Sequence, residues 1–386
     1  MKRPKLLYLI TEDWFFCSHF IERALAAKTA GYDVVLVARE QKHGELIRAS
    51  GLRLIPLKMQ RGSINPFNEL KTLLSICKIY LSERPDIVHH VALKPILYGS
   101  LVARIAGIKR IVNAPVGMGY IFTSKDFLAS LLRPIVSTAM RVLLNPQGSK
   151  VVFENGDDLS NFVSDKVVKK SDAVLIRGAG VNVDQYKPQQ EEPSGVPSIV
   201  LVARMLWDKG IAEFVEAACI LQSQSIKARF ILVGAPDTHN RAAISLQQLN
   251  TWQQEGLVEW LGHQEDIPAI LAACHIVCLP SYREGLPKSL LEALAAGKPV
   301  VTTDVPGCRE VVKNQDNGFL VPARDSRALA QALAKLVNNS ALRAQFGLRG
   351  RLRAESEFSS AIVIDSTLAL YKSMFPATAG HRLPIN

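Results

Sequence analysis

Ser281-Tyr-Arg-Glu-Gly-Leu-Pro-Lys-Ser-Leu-Leu-Glu292, continued by Ala-Leu-Ala-Ala-Gly-Lys-Pro-Val-Val-Thr-Thr303, sets two carboxylates, Glu284 and Glu292, around the start of a helix. The apolar run from His275 to Leu279 reads as a strand that Pro280 and Ser281 close. Gly285 permits a tight turn, and Pro287 suits the first helical turn, where its missing N–H costs nothing. The helix then runs from about Lys288 to Ala296. Its free N–H groups and positive dipole end face the loop, so the turn from Gly285 to Ser289 is a seat for phosphate oxygens or a polar hexose. Glu284 can accept from sugar hydroxyls, while Glu292, at about 1.5 Å per residue further along the helix, reaches another part of the ligand, such as a ribose. A capping carboxylate plus a solvated helix glutamate would show the same spacing, so the flanks must decide.

Upstream, Val200-Leu-Val-Ala-Arg204-Met-Leu-Trp-Asp-Lys209-Gly210 is a buried strand followed by a glycine-ended loop with two cations. Then come Phe230-Ile-Leu-Val-Gly234, Trp260-Leu-Gly262-His263 and Val301-Thr-Thr-Asp304-Val-Pro-Gly307. In this order the landmarks resemble the signature of family 4 of the retaining glycosyltransferases, whose fold is called GT-B. The resemblance implies that Arg204 and Lys209 stabilise a departing diphosphate. It also implies that Glu284 holds the donor hexose, with Gly285, Leu286 and Pro287 alongside, and that Glu292 holds the ribose. Ser289, Gly234 and His263 complete the expected donor site. The acceptor hydroxyl of such enzymes approaches from the face of the leaving group, a phosphate oxygen takes its proton, and no protein base is required. Many relatives carry a first-domain histidine on the donor sugar; Asn113-Ala-Pro-Val-Gly117-Met-Gly119-Tyr120 has none.

With 386 residues and 48% hydrophobic content the chain can bury two cores. Cysteines 17, 77, 219, 274, 278 and 308 form no CxxC pair and have no histidines at metal-ligand spacing, so they read as reduced thiols of a cytosolic protein. The first residues lead straight into an apolar run too short for a signal peptide, and no stretch approaches the ~18 to 20 apolar residues of a spanning helix. Of the formal charge of +11, residues up to Lys150 carry +12 and the remainder −1. That asymmetry asks for an anionic partner; no nucleic-acid module accompanies it, so no nucleic acid is expected, and an anionic inner-membrane surface suits it better.

Apolar runs alternate with helical patterns in the βα rhythm of a parallel sheet. One series of candidate strands runs from Leu6 to Ile176 and a second from Ile199 to Thr303, separated by Arg177-Gly-Ala-Gly180 through Asp184-Gln-Tyr-Lys-Pro188 and a turn-rich segment to Pro197. The expectation is an α/β, GT-B chain: two doubly wound Rossmann-like domains facing a cleft, residues 1–180 for the acceptor and 195–358 for the nucleotide sugar. A helix over 359–375 packs back on the first domain by resemblance, and 376–386 is a flexible tail. There is no Asp-x-Asp for a metal-dependent GT-A transferase, no complete GxGxxG and no P-loop; no metal and no cofactor is expected. Hydrolysis by paired carboxylates stays open on paper.

In the first half, Thr11-Glu-Asp-Trp14-Phe-Phe-Cys-Ser-His19, His89-His90-Val-Ala-Leu-Lys94-Pro-Ile-Leu-Tyr-Gly99, Gly117-Met-Gly-Tyr120-Ile-Phe122 and Val152-Phe-Glu154-Asn155 look like bacterial transferases that extend undecaprenyl-diphosphate-linked sugars. The acceptor candidates are Trp14, His19, His90, Lys94, Gly117, Tyr120 and Glu154. His89 and His90 read equally as a strand end packed in the core; Trp14, Phe15 and Phe16 read as core or as a loop rimming the cleft. Residues 126–145 read as a buried helix pair or an interfacial surface. The reading is a metal-independent glycosyltransferase moving a hexose or N-acetylhexosamine from a UDP-sugar to a lipid-linked saccharide, peripheral on the cytoplasmic face of the inner membrane. The rivals are a UDP-sugar 2-epimerase of the same fold and a non-enzymatic basic scaffold.

Overall fold

The central apolar runs become strands buried on both faces, because helices cover both sides of a parallel sheet and leave no solvent face to alternate with, while the edge strands are only partly covered. The computed structural model describes residues 3–60, 65–116, 127–189, 195–237, 240 and 242–375. Gly180–Ala361 forms one compact unit; the chain up to Ala179 and the chain from Ile362 onward form the other.

The first unit holds β1 (Lys5–Glu12), β2 (Asp33–Arg39), β3 (Arg53–Pro56), β4 (Ile87–Val91), β5 (Ile111–Ala114), β6 (Ser149–Phe153) and β7 (Ala173–Leu175). They form one parallel sheet in the order β3-β2-β1-β4-β5-β6-β7. Its helices are α1 (Asp13–His19), α2 (Ile21–Thr29), α3 (Gly44–Ala49), α4 (Pro66–Glu83), α5 (Leu93–Ile105), α6 (Phe127–Leu143) and α7 (Gly156–Ser164). On one face Ile76 and Tyr80 of α4 and Val102 and Ala103 of α5 pack on Leu7, Leu9, Val35 and Val88. Met140 of α6 joins Ile96 of α5 over Val151 and Phe153. The other face takes Phe16, Phe20, Ala24 and Ile47. α4 is capped at its start: the Asn65 side chain accepts from the Phe67 N–H at 3.0 Å, and Pro66 occupies the first turn.

The second unit holds β8 (Ser198–Val202), β9 (Arg229–Val233), β10 (Glu259–Trp260), β11 (Ile276–Leu279), β12 (Val300–Thr303) and β13 (Gly318–Val321), in the order β10-β9-β8-β11-β12-β13. Around them lie α8 (Ile211–Ser223), α9 (Leu246–Gln254), α10 (Ile267–Ala273), α11 (Lys288–Ala295), α12 (Cys308–Val311), α13 (Ser326–Val337) and α14 (Ser340–Glu357). Phe214 and Leu221 of α8 and Leu333 of α13 bury against Ile199, Leu201 and Phe230 on one face. Leu290, Leu291 and Leu294 of α11 bury against Val200, Val277 and Leu279 on the other. Each such side chain contributes about 1.5–3 kcal/mol, so truncating fully buried Phe214 to Ala costs about 3–5 kcal/mol. Both strand orders reverse once, between β1 and β4 and between β8 and β11, and the carboxyl ends of strands at such a switch are where open α/β sheets hold ligands.

α15 (Ser360–Ser373) returns the chain to the first unit, where Val363, Leu370 and Tyr371 enter the core beside Tyr8. The Tyr8 and Tyr371 hydroxyls share a buried hydrogen bond of 2.7 Å, and Tyr371 is also bonded to Nδ1 of His89 at 2.7 Å.

Three local expectations are corrected. Trp14, Phe15 and Phe16 are not a loop: they lie in α1, with Phe16 fully buried, because Asp13 accepts backbone N–H bonds from Trp14, Gln41 and His43 and fixes the turn out of β1. Pro287 stands one position before the helix, as its N-cap with φ −72° and ψ 113°. β13 went unread because Gly-Phe-Leu-Val is four residues long and lies at the sheet edge. The tail expected over 376–386 lies outside the described residues.

Candidate active site

β8 and β11 are neighbours, with Ile199 opposite Ile276, so the loops after them emerge side by side although their sequences are about seventy-five residues apart. Hydrogen bonds lace the two loops. The Ser281 hydroxyl donates to the Asp208 carbonyl at 3.1 Å and the Tyr282 N–H to the same oxygen at 2.9 Å. The Thr303 hydroxyl at the end of β12 donates to the Ser281 carbonyl. Backbones approach so closely that two glycines are obligatory. A Cβ on Gly210, at φ 72°, would lie 2.1 Å from the Pro280 carbonyl oxygen, and one on Gly307, at φ 81°, would lie 2.4 Å from that of Gly285.

Within this frame Lys209 Nζ donates to Glu284 Oε1 at 2.5 Å, with side chains 20% and 11% exposed. An ammonium has three N–H groups and a carboxylate two oxygens, so the contact leaves Lys209 able to reach a phosphate and Glu284 able to accept from a sugar hydroxyl. Arg204 leaves the end of β8 and donates to Asp237 at 2.6 Å, a partner that sequence reading missed. α11 begins at Pro287 without a side-chain cap, so its first turn presents N–H groups and a positive dipole end at half-buried Ser289.

Glu292 sits one helical turn further on and is 7% exposed. Burial pushes its carboxyl above the ordinary carboxylate value, while Lys288, 3.5 Å away, and a hydrogen bond from Tyr186 oppose the rise. Tyr186 is buried too, and burial together with the Glu292 charge pushes its phenol up. Arg351 of α14 holds this arrangement: one guanidinium nitrogen donates to the carbonyls of Val183, Tyr186 and Ala295 at 2.8, 2.6 and 2.6 Å. Tyr186 lay within the Asp-aromatic-Pro segment read as a linker; nothing in the sequence marked Arg351.

The remaining donor candidates divide. Gly234 is engaged within the fold, its N–H donating to Gly262 at 2.7 Å and its carbonyl accepting from the Trp260 indole at 2.9 Å. Leu286 and Pro287 bury their side chains and offer only backbone; Gly285 is half-buried, and His263 is exposed after Gly262.

In the first unit Trp14 and His19 lie half-buried on α1, His19 stacked on Phe15 at 4.2 Å between ring centres and bonded to Ser18 at 2.6 Å. Half-buried Glu154 follows β6 directly and shares its field with the buried Arg23. His90 is corrected from an acceptor contact to a core residue: it is 0% exposed, Nε2 bonds Tyr80 at 2.9 Å, Nδ1 bonds Asn113 at 2.8 Å, and burial pulls its imidazole down to about 4. Lys94 donates to both Glu69 oxygens at 3.0 and 3.1 Å, so an acidic side chain already neutralises it. Gly117 and Tyr120 lie outside the described residues. Among the described residues no three His, Cys, Asp or Glu side chains gather as a metal site, and no helix is long and apolar enough to cross a membrane.

The family described as glycosyl transferases group 1 matches residues 182–353, and that described as glycosyl transferase 4-like matches residues 5–149. The chain is 28% identical over 358 residues, 90% of its length and 92% of the relative's, to the N,N'-diacetylbacillosaminyl-diphospho-undecaprenol alpha-1,3-N-acetylgalactosaminyltransferase of Campylobacter jejuni. It is 25% identical over 292 residues, 72% of this chain and 73% of the other, to the UDP-Gal:alpha-D-GlcNAc-diphosphoundecaprenol alpha-1,3-galactosyltransferase of Escherichia coli. Among solved structures, HepE of Anabaena in complex with UDP and glucose superposes with a TM-score of 0.77 at 19% identity, covering 96% of this chain and 100% of the other. These relatives are named as transferases and lend no support to the epimerase alternative.

Proposed function

We propose that this chain, whose second half matches the group 1 glycosyl transferases and whose first half matches the glycosyl transferase 4-like family, moves a hexose or N-acetylhexosamine from a UDP-sugar, with retention, to a polyprenyl-diphosphate-linked saccharide. The observation that carries the reading is the Lys209–Glu284 contact beside the uncapped start of α11: a cation for diphosphate and a carboxylate for sugar hydroxyls, fixed on adjacent loops at the switch point. As the bond from the anomeric carbon to phosphate oxygen breaks, negative charge grows on the departing diphosphate. Lys209, Arg204 and the N–H groups near Ser289 stabilise it. The acceptor oxygen forms the new bond on the same face, and its proton passes to a phosphate oxygen. Glu284 orients the hexose through Oε2, and Glu292, braced by Tyr186, accepts from the ribose.

The lipid-linked acceptor is supported by the diphospho-undecaprenol acceptors named for the Campylobacter and Escherichia relatives. Trp14, His19 and Glu154 are the first-unit residues retained for it. Such an acceptor requires the protein to work at the cytoplasmic face of an anionic membrane, and a net charge of +12 before residue 151 agrees with that. Glu284→Ala tests the assignment: turnover should fall about 10²-fold or more with UDP affinity little changed, since hydrogen bonds to charged groups are worth ~1.5–3 kcal/mol and more in a dry transition state. Unchanged turnover in a folded variant removes Glu284 from the mechanism.

A further inference from the structure

The layer of α4, α5 and α6 turns an apolar and basic face to solvent. Phe67, Leu70, Leu74 and Leu81 of α4 are 83%, 55%, 63% and 58% exposed. At 3.6 residues per turn they fall within about 60° of arc, on the side away from the buried Thr72, Ile76 and Tyr80. Lys71 and Lys78 border the stripe. α4 packs on α5, whose last turn adds Ile105 at 71% exposed, and α5 packs on α6, which adds Val142 at 54%. Leu101, Arg104 and Ile105 face Pro134, Val142 and Leu143 across an apolar groove of about 900 Å³.

Single exposed leucines need no explanation, but a continuous stripe across neighbouring helices marks a surface that another body covers. Charge selects the body. Lys71, Lys78, Arg104 and Arg141 are exposed and make no ion pair among the described residues, whereas the acids of α4 are already taken, Glu69 by Lys94 and Glu83 by Lys5 and Arg53. A second copy of this chain on the same face would bring these unpaired cations together. An anionic phospholipid surface neutralises them while its acyl region takes the leucines and the phenylalanine.

We propose that α4, α5 and the end of α6 form the membrane-docking face of the first unit, with α4 lying in the plane of an anionic bilayer. This rests on the lipid-linked acceptor reading above. The interfacial surface read over residues 126–145 is thereby extended to α4, whose Phe67, Leu70, Leu74 and Leu81 carry the apolar contact; the side chains of 127–133 and 135 lie outside the described residues.

The test is flotation of the full chain with phosphatidylcholine vesicles with and without phosphatidylglycerol. Wild type should float with the anionic vesicles at about 0.1 M salt and much less at about 0.5 M, where the screening length is under half as long. Phe67→Ser/Leu70→Ser/Leu74→Ser should bind about tenfold more weakly or worse at an unchanged melting temperature, because the removed side chains are exposed. Lys71→Gln/Lys78→Gln/Arg104→Gln should lose the preference for anionic vesicles. Flotation of the serine variant equal to wild type overturns this face and leaves membrane docking standing. No flotation of wild type overturns both. A dimer that the serine variant splits, without flotation, assigns the face to a second copy and overturns the lipid assignment.

Discussion

Lys209 and Glu284 should behave as one unit in the stability of Gly180–Ala361, and a double-mutant cycle measures it. Both side chains are at least four-fifths buried and meet at 2.5 Å, so removing either leaves the other without its charge partner in a site that water reaches poorly. A hydrogen bond between charged groups is worth ~1.5–3 kcal/mol, so Glu284→Gln and Lys209→Met should each lower stability by about that amount. For a unit of this size that is roughly 3–10 °C in melting temperature. The double variant replaces both partners with neutral groups of similar shape, leaves no unpaired charge, and should lie above the sum of the singles by at least about 1 kcal/mol. Urea unfolding followed by tryptophan fluorescence, with Trp207 adjacent to the loop, reads all four proteins. Effects that add to within about 0.5 kcal/mol would refute the claim that the two side chains hold each other.

Glu292 gives a pH-dependent test. Its folded value is raised by burial, so it favours the folded state when protonated, below the ordinary value of 4.5, and that contribution is lost as pH rises through the raised value. Glu292→Gln should therefore raise the melting temperature relative to wild type at pH 7 and much less near pH 4, while weakening UDP binding by tenfold or more in calorimetry, as loss of a charged hydrogen bond of ~1.5–3 kcal/mol requires. His90 has the opposite sign. Its imidazole falls from 6.5 to about 4 by burial, so the stability it contributes is present above pH 6.5 and lost as pH falls toward 4. Melting of the wild type from pH 7 to 4 should show this slope and His90→Gln should flatten it; identical slopes would contradict the buried neutral ring.

How far the sequence could be read is clear from particular residues. The run from Ser281 to Thr303 announces strand, loop and helix because Pro, Gly and apolar spacing act locally, and the α/β class follows from the βα rhythm. What it does not announce is adjacency. That Lys209 pairs with Glu284, Arg204 with Asp237 and Tyr186 with Glu292 depends on β8 lying beside β11 and on α14 folding Arg351 across the end of α11. His90 was open to two readings for the same reason. Its burial depends on Tyr80 from α4 and Asn113 from β5, neither of which is local in sequence. The stripe on α4 is the reverse case, a helical period present in the chain whose exposure only the packing of Ile76 and Tyr80 reveals.

The central claim is transfer from a UDP-sugar through a donor site without metal. A chelator-washed preparation incubated with a panel of UDP-sugars and undecaprenyl-diphosphate-linked saccharides, read by mass spectrometry of the lipid product, tests it most directly. One hexose or N-acetylhexosamine should be added per acceptor, with UDP released in equal amount, no change on adding Mn²⁺, and loss of the product in Glu284→Ala. Conversion of the donor with no acceptor present, or transfer that appears only when metal is restored, would contradict it.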